Sequence, residues 1–432
     1  IDFLLRKFKE PTALMEALLI ALPLVFQLQI QRVIDHENIE ELVEYLQYAS
    51  KCSLPTNYIQ NIISALTLHG QDLPLFAAKS VVWSLSNLEH FEKSYERLLY
   101  NAMNVLKKDI MLLTIEDIDI ILTKMLSKVK QDVLIFYDDE LLDKVANYVV
   151  EKKVSFVETM WILKKITKMG HINISILDYL DELISENPEL LSKCRPSSYF
   201  TFINALSTAD YKTKHWNIIK QSILDNDIIM TGKNALPWSK CSVELASLDI
   251  YNDVLLERIF SPRFLKSYLS REFNILDHFQ LLLIHQAVKT MHTSYTGPFL
   301  SPDVIEHAIT LYKTPFEVMP IKSALVHALE NEKYVAHGVN SRLGHYIDYV
   351  VVMCNGQPVA ITSAVDRDTM YIEDIVVPEN STTICILVLP TTCYATNCNR
   401  LKGVMGLKIR TLEALGYKVL PLPIQLWKNL DD

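Results

Sequence analysis

Glycine is scarce in this chain of 432 residues, and its ten copies are unevenly placed. Residues 1–333 hold four (Gly70, Gly170, Gly232, Gly297), and residues 334–432 hold six (Gly338, Gly344, Gly356, Gly403, Gly406, Gly416). Scarcity over the long first part suits helices, whose interiors glycine weakens. Its return beside runs of Val, Ile and Thr suits strands and turns, so the main boundary is placed near Lys333. Cysteine is also sparse. Its seven copies are odd in number and contain no C-x-x-C, which argues against a disulfide framework or a zinc site. Cys393 and Cys398, the closest pair, read as neighbours in a loop. An uninterrupted apolar run of membrane length is missing as well. The longest apolar stretch, 13–30, is broken by Glu16, Pro23 and Gln27 and reads as a buried helix. An excess of basic charge is missing too. Net charge is −9, from 34 Lys+Arg against 42 Asp+Glu in residues 1–333 and 8 against 9 after them. No global basic field draws in nucleic acid, so any such contact has to be a local stripe. No targeting peptide is visible, and a chain that opens on Ile1 decides nothing about a leader.

What is present is half apolar and about a fifth charged, the balance of a folded chain rather than a disordered one. Its length calls for two or more domains. Over residues 1–333 apolar positions recur at three- and four-residue spacing, which predicts helices at 38–50, 58–69, 75–88, 93–107, 114–129, 138–151, 156–169 and 174–186. Gly170 and Asn187-Pro188 supply stops. Short apolar helices ending in small or polar residues recur every 36 to 41 residues or so, near Ser50, Ser86, Ser127, Ile166, Ser207 and Leu248. That is the period of two-helix repeats, each too small to bury its own apolar face and therefore obliged to stack.

After Lys333 the period changes. Residues 347–352 read as a strand, Asn355-Gly356 as a hairpin turn, and 358–362 as the return strand. Further strands are expected at 369–377 and 383–389. A helix over 401–415 follows, with Gly416 at its left-handed C-cap. A short strand at 418–420 ends at Pro421. Strands with a late helix make a small α/β layer.

Three ordered blocks resemble the FAST-kinase-like family. The first runs from Tyr199-Phe200 through Asn204-Ala205-Leu206-Ser207 to Ser261-Pro262-Arg263-Phe264-Leu265. The second is Leu283 to Val288 with Tyr295-Thr296-Gly297-Pro298-Phe299-Leu300. The third is Gly344-His345-Tyr346-Ile347-Asp348 with the closing run Asn399 to Pro423, which resembles the RAP domain. The resemblance implies a helical-repeat (solenoid-like) array followed by a small α/β RAP domain similar to the PD-(D/E)xK nuclease fold. Its divisions are a helical-repeat region at 1–198, family region 1 at 199–269, region 2 at 275–333, and a RAP-type domain at 334–430 with its core at about 370–428. It also implies a mitochondrial matrix protein that binds single-stranded mitochondrial RNA. Such a protein affects transcript processing, stability or translation, with other RNA-processing proteins as further partners. The kinase in the family's name finds no support here. The G-x-G-x-x-G loop, V-A-I-K strand, H-R-D loop and D-F-G are all missing, so the metal and phosphate ligands of phosphoryl transfer are too.

Several side chains are candidates for chemistry. A nuclease of that fold needs two acidic metal ligands and a lysine. Asp348 stands where the first acid belongs, with Glu332 as support. The second strand has Thr362-Ser363 where the paired acid is needed, and Asp366 follows in a loop. An endoribonuclease centred on Asp348 is therefore the enzyme alternative, and a protein-interaction scaffold that never touches RNA is the other. No metal site and no cofactor is expected. His345, His285 and His292 read as structural. For RNA, Arg400, Lys402, Lys408 and Arg410 gather at the last helix, where an N-terminus favours anions. Trp427 can stack on bases. Lys124, Lys128, Lys164, Lys165 and Lys168 make a basic stripe over neighbouring repeats. Trp83, Trp161, Trp216 and Trp238 read as core.

Overall fold

Helical spacing accounts for most of the backbone. A computed structural model describes residues 35–51, 56–231, 237–271, 274–311, 321–362 and 370–425. The apolar stretch 13–30, Asp366 and Trp427 lie outside them. The chain is mostly helical, with a small mixed sheet near its C-terminal end. It divides into two units, residues 1–169 and 170–432.

The first unit contains α1 (Ile39–Lys51), α2 (Thr56–Leu68), α3 (Leu75–Asn87), α4 (Glu96–Lys108), α5 (Ile115–Val129), α6 (Asp139–Glu151) and α7 (Phe156–Lys168). Each runs within a residue or three of the stretch its periodicity predicts. Caps fix several starts. Thr114 and Asp117 close a capping box on α5, and Ser155 accepts from the Glu158 amide on α7. Helices α1, α3, α5 and α7 pack on one another in one row, and α2, α4 and α6 in a second. Side chains reach between corresponding positions of successive repeats. Gln47 donates to Ser80 at 2.9 Å, Lys124 to Asn87 at 2.6 Å, and Tyr148 to the Leu113 carbonyl at 3.0 Å. These partners are 33, 37 and 35 residues apart, close to the period of the sequence pattern.

The second unit continues with α8 (Ile174–Glu186), α9 (Glu189–Ser192), α10 (Pro196–Ala209), α11 (Trp216–Leu224), α12 (Asp227–Thr231), α13 (Trp238–Ser247), α14 (Asp253–Phe260), α15 (Pro262–Leu269), α16 (Ile275–Met291), α17 (Pro302–Thr310) and α18 (Ile321–Ala328). Helices α8, α10, α13 and α16 pack in succession. Ser207 and Ser247, 40 residues apart, share a 2.8 Å bond between the ends of α10 and α13. Trp238 is fully buried against Phe200, in accord with its reading as core.

The sheet contains β1 (Ala336–Asn340), β2 (Tyr346–Cys354), β3 (Gln357–Val359), β4 (Ser381–Leu389) and β5 (Lys418–Pro423), with α19 (Gly403–Ala414) between β4 and β5. The order is β1-β2-β4-β5, with β3 also on β2. Only β4–β5 is parallel, so α19 serves as its crossover. Asn355 and Gly356 both have positive φ, 48° and 79°, as a two-residue hairpin turn of this type requires. One face of the sheet packs Val350, Val352, Cys385 and Leu387 against Leu412 of α19. The other packs Tyr349, Val351, Ile386 and Val388 against Ile321 and Leu325 of α18.

Four local readings differ from the structure. The strand β1 was not read from the sequence. Residues 370–377 form a 3₁₀ turn at Ile372–Asp374 with a single bridge, Asn340 to Tyr371, instead of a strand. Pro421 does not end β5, because β5 is an edge strand whose outer side needs no amide donor. Trp161 is also not core: it is 53 % exposed on α7.

Candidate nucleic-acid interface

Two regions hold the cations singled out by sequence, and each is best described by what its ammonium and guanidinium groups touch. In the second unit α19 lies across α10, α13 and α16. Its start is a close approach. A Cβ added at Gly403 would sit 2.5 Å from the Ser207 carbonyl oxygen and 3.1 Å from a carboxylate oxygen of Asp210. The N-terminus of α19 therefore meets the C-terminal end of α10. Arg400 donates to the Asp210 carbonyl at 3.3 Å, and Arg410 to the Ser247 carbonyl at 2.8 Å. Both serve the last, otherwise unpaired carbonyls of helices, where positive charge is favoured. Lys402 donates to the Thr392 carbonyl at 2.8 Å, and burial pushes its ammonium pKa down. Lys408 is half-buried, and burial lowers its pKa against the opposing pull of Asp348. Of these four, Arg400 alone is exposed, so they do not share one open face.

Asp348 sits where β2 and β4 part. Their ladder ends at the pair Tyr349–Ile386, and beyond it the Val388 amide donates to the Asp348 carboxylate at 2.9 Å. Burial raises the Asp348 pKa, while that amide and Lys408 hold it back. His345 is buried one residue before β2. Its Nδ1 lies 2.7 Å from Ser341 Oγ and its Nε2 3.0 Å from Thr411 Oγ1. Burial first, then the charge of Lys408, drives its pKa down to about 3. Glu332 is exposed in a 3₁₀ turn and pairs with Lys322 at 2.7 Å. Its carboxyl is held below the usual range by that hydrogen bond. Among the described residues no group of three His, Cys, Asp or Glu is placed to hold a metal ion. His292 bonds Asp253 at 2.8 Å and stacks on Tyr251.

In the first unit the lysines divide. Lys128 is not a surface cation: it is 3 % exposed and donates to the Leu88 carbonyl at 2.5 Å, with its pKa lowered by burial. That bond closes the end of α3 from the next repeat. Lys165 pairs with Asp119 of α5, while Lys164 and Lys168 are exposed. Lys124 lines a cleft of about 270 Å³ on α1, α3 and α5 together with Lys51, Lys79 and Trp83. Lys51 Nζ lies 5.1 Å and Lys124 Nζ 5.2 Å from the Trp83 ring centroid. Sequence reasoning took Trp83 for core and passed over Lys51 and Lys79. The spacing of about one repeat between interacting positions is the signal that joins them.

This layout, a helical array closed by a mixed sheet with a late helix, agrees with the comparisons. Residues 386–432, which include β4, α19 and β5, match the RAP domain. Residues 278–360, from within α16 to just past β3, match FAST kinase-like protein, subdomain 2. These two matches support a FAST-kinase-like protein with a C-terminal RAP domain. A search of curated proteins gives no match. The two domains suggest RNA binding. Among the described residues no helix is long and apolar enough to cross a membrane.

Proposed function

We propose that this protein binds single-stranded RNA in mitochondria and acts on transcript processing, stability or translation by contact, without cutting the strand itself. The reading rests on the RAP domain joined to the FAST kinase-like subdomain. The mitochondrial address follows from the family resemblance. The absence of catalysis is argued from Asp348 and Glu332, whose carboxylates serve Val388 and Lys322 and are not gathered around one ion.

Fluorescence anisotropy of a labelled oligoribonucleotide with the full chain tests the binding. Saturable binding that weakens as salt rises is expected, since phosphate contacts release counterions. No change in anisotropy at low salt would sink it, and immunolocalisation outside mitochondria would remove the address. Asp348→Ala separates a structural carboxylate from a catalytic one. It leaves the Val388 amide without its acceptor and is expected to lower stability by about 1–3 kcal/mol in urea denaturation. An unchanged midpoint, together with Mg²⁺-dependent cleavage of RNA that this variant loses, would favour the endoribonuclease instead.

A further inference from the structure

The cleft on α1, α3 and α5 has a chemistry of its own. Three ammonium groups line it against one carboxylate, Asp117. Lys79 is satisfied by Asp117 at 2.9 Å. Gln47 and Ser80 bond each other. That leaves Lys51 and Lys124 as the charge on offer. Among the described residues neither forms an ion pair; Lys124 bonds only the neutral Asn87 amide, and both ammonium groups sit over the Trp83 indole. A cation held over an aromatic face keeps its charge and gives up part of its water, so it is poised for an anion. The remaining wall is apolar: the indole itself, Ile121, and Ile120, whose side chain is 50 % exposed at this helix row.

Two cations beside an indole and an isoleucine fit an anion carrying a flat apolar group. An isolated carboxylate would use the lysines and leave the aromatic wall idle. A nucleotide uses both. Single-strand binders commonly pair a cationic track for the backbone with aromatic side chains for the bases. We propose that Lys51, Trp83, Ile120 and Lys124 form a nucleotide subsite for single-stranded RNA, with one phosphate held by the two lysines and the adjoining base laid against Trp83. The assignment rests on the RNA-binding reading above and gives it a place. A second exposed indole, Trp161 on α7 beside Lys165, extends the same helix row.

The test uses the full chain and a fluorescein-labelled oligouridylate. Lys51→Gln with Lys124→Gln alters two side chains outside the core and should leave the circular-dichroism melting curve in place. Affinity should fall about ten-fold or more, and the slope of log affinity against log salt should shrink by about one phosphate contact's worth. Trp83→Leu should weaken binding by a similar factor with the salt slope unchanged, since stacking carries no charge. Binding that is undiminished in the double lysine variant overturns the subsite and leaves the RNA reading standing. An unmodified chain that binds no oligouridylate removes both. Polyglutamate that competes as well as RNA, and loses its grip in the same variants, assigns the cleft to an acidic peptide and overturns the nucleotide.

Discussion

Gly403→Val is expected to lift α19 off the helices beneath it and to unfold the C-terminal sheet at a lower temperature. The nearest obstacle to a side chain there is backbone, the Ser207 carbonyl oxygen at 2.5 Å, with Ser247 Oγ at 3.3 Å behind it. Neither can yield cheaply. Ser207 and Ser247 are buried, bonded to each other, and set in α10 and α13. The helix has to move instead. Moving it stretches the Arg410 bond to the Ser247 carbonyl and the Arg400 bond to the Asp210 carbonyl, and it opens the contact of fully buried Leu407. Overpacking of this sort costs about 1–3 kcal/mol, and each weakened charged hydrogen bond adds about 1.5–3 kcal/mol. A loss of roughly 4 kcal/mol or more is expected, read as a lower melting temperature and as faster proteolysis in the segment after Leu389. Gly406→Ala is the contrast. Its Cβ would meet the far ends of two side chains, Arg410 at 3.4 Å and Asp210 at 3.8 Å, and alanine favours a helix interior by about 1 kcal/mol, so stability should hold or rise. A Gly403→Val melting curve that overlays the unmodified one would show that α19 is not seated as described.

The same helix shows where sequence reasoning succeeds and where it stops. Gly416 was legible as a C-cap because the requirement is local: φ is +92° there, which few other residues adopt. What crowds Gly403 lies near residue 207 in another helix, beyond the reach of any local signal. Arg400 and Arg410 read as free cations for the same reason, since their acceptors are 190 and 163 residues away. The helices of the first unit were legible nearly end to end, because apolar spacing, caps and stops are short-range signals that agree with one another. The segment 370–377 had strand composition but also Glu373 and Asp374. Glu373 accepts the Arg342 amide and Asp374 pairs with the Arg342 guanidinium at 2.7 Å, which ties the segment down as a turn. The strand β1, Ala-His-Gly-Val-Asn, has a left-handed glycine in its middle and too few apolar residues to announce itself. The Lys51–Trp83–Lys124 cleft was half visible. Its members stand about one repeat apart, but only stacking reveals that they face one another.

Acid should unfold the second unit at a pH where most carboxylates are still charged. Two buried histidines cause this. His345 is 1 % and His285 3 % exposed, and burial drives their pKa values down to about 3 and about 4. The hydrogen bonds around His345 fix its neutral form. Thr411 gives its proton to the Lys408 carbonyl at 2.7 Å, so its oxygen accepts from Nε2–H. Ser341 Oγ already accepts the His345 amide at 3.0 Å and gives its own proton to Nδ1. A second proton on the ring would displace that donor and add a cation beside Lys408. His285 stands edge-on to Phe260 and Phe299 with Nδ1 lacking any partner among the described residues, and Lys289 adds to its reluctance. Both folded values lie below the unfolded value of about 6.5. The unfolded chain therefore binds protons first as pH falls. The stability contributed is complete above about pH 6.5 and is lost progressively toward the folded values. At about pH 4.5 each histidine has forfeited on the order of 2–3 kcal/mol, a large share of the total of about 5–15 kcal/mol for a domain. Asp348 opposes this, since its raised pKa lets the folded state take a proton first, but only in the window just above the ordinary carboxylate value. Urea midpoints measured between neutral pH and about pH 4.5 should fall steeply. The fall should be shallower in His345→Gln, which keeps polar groups toward Ser341 and Thr411 but cannot charge. Equal midpoints across that range would mean that neither ring is held neutral by its surroundings.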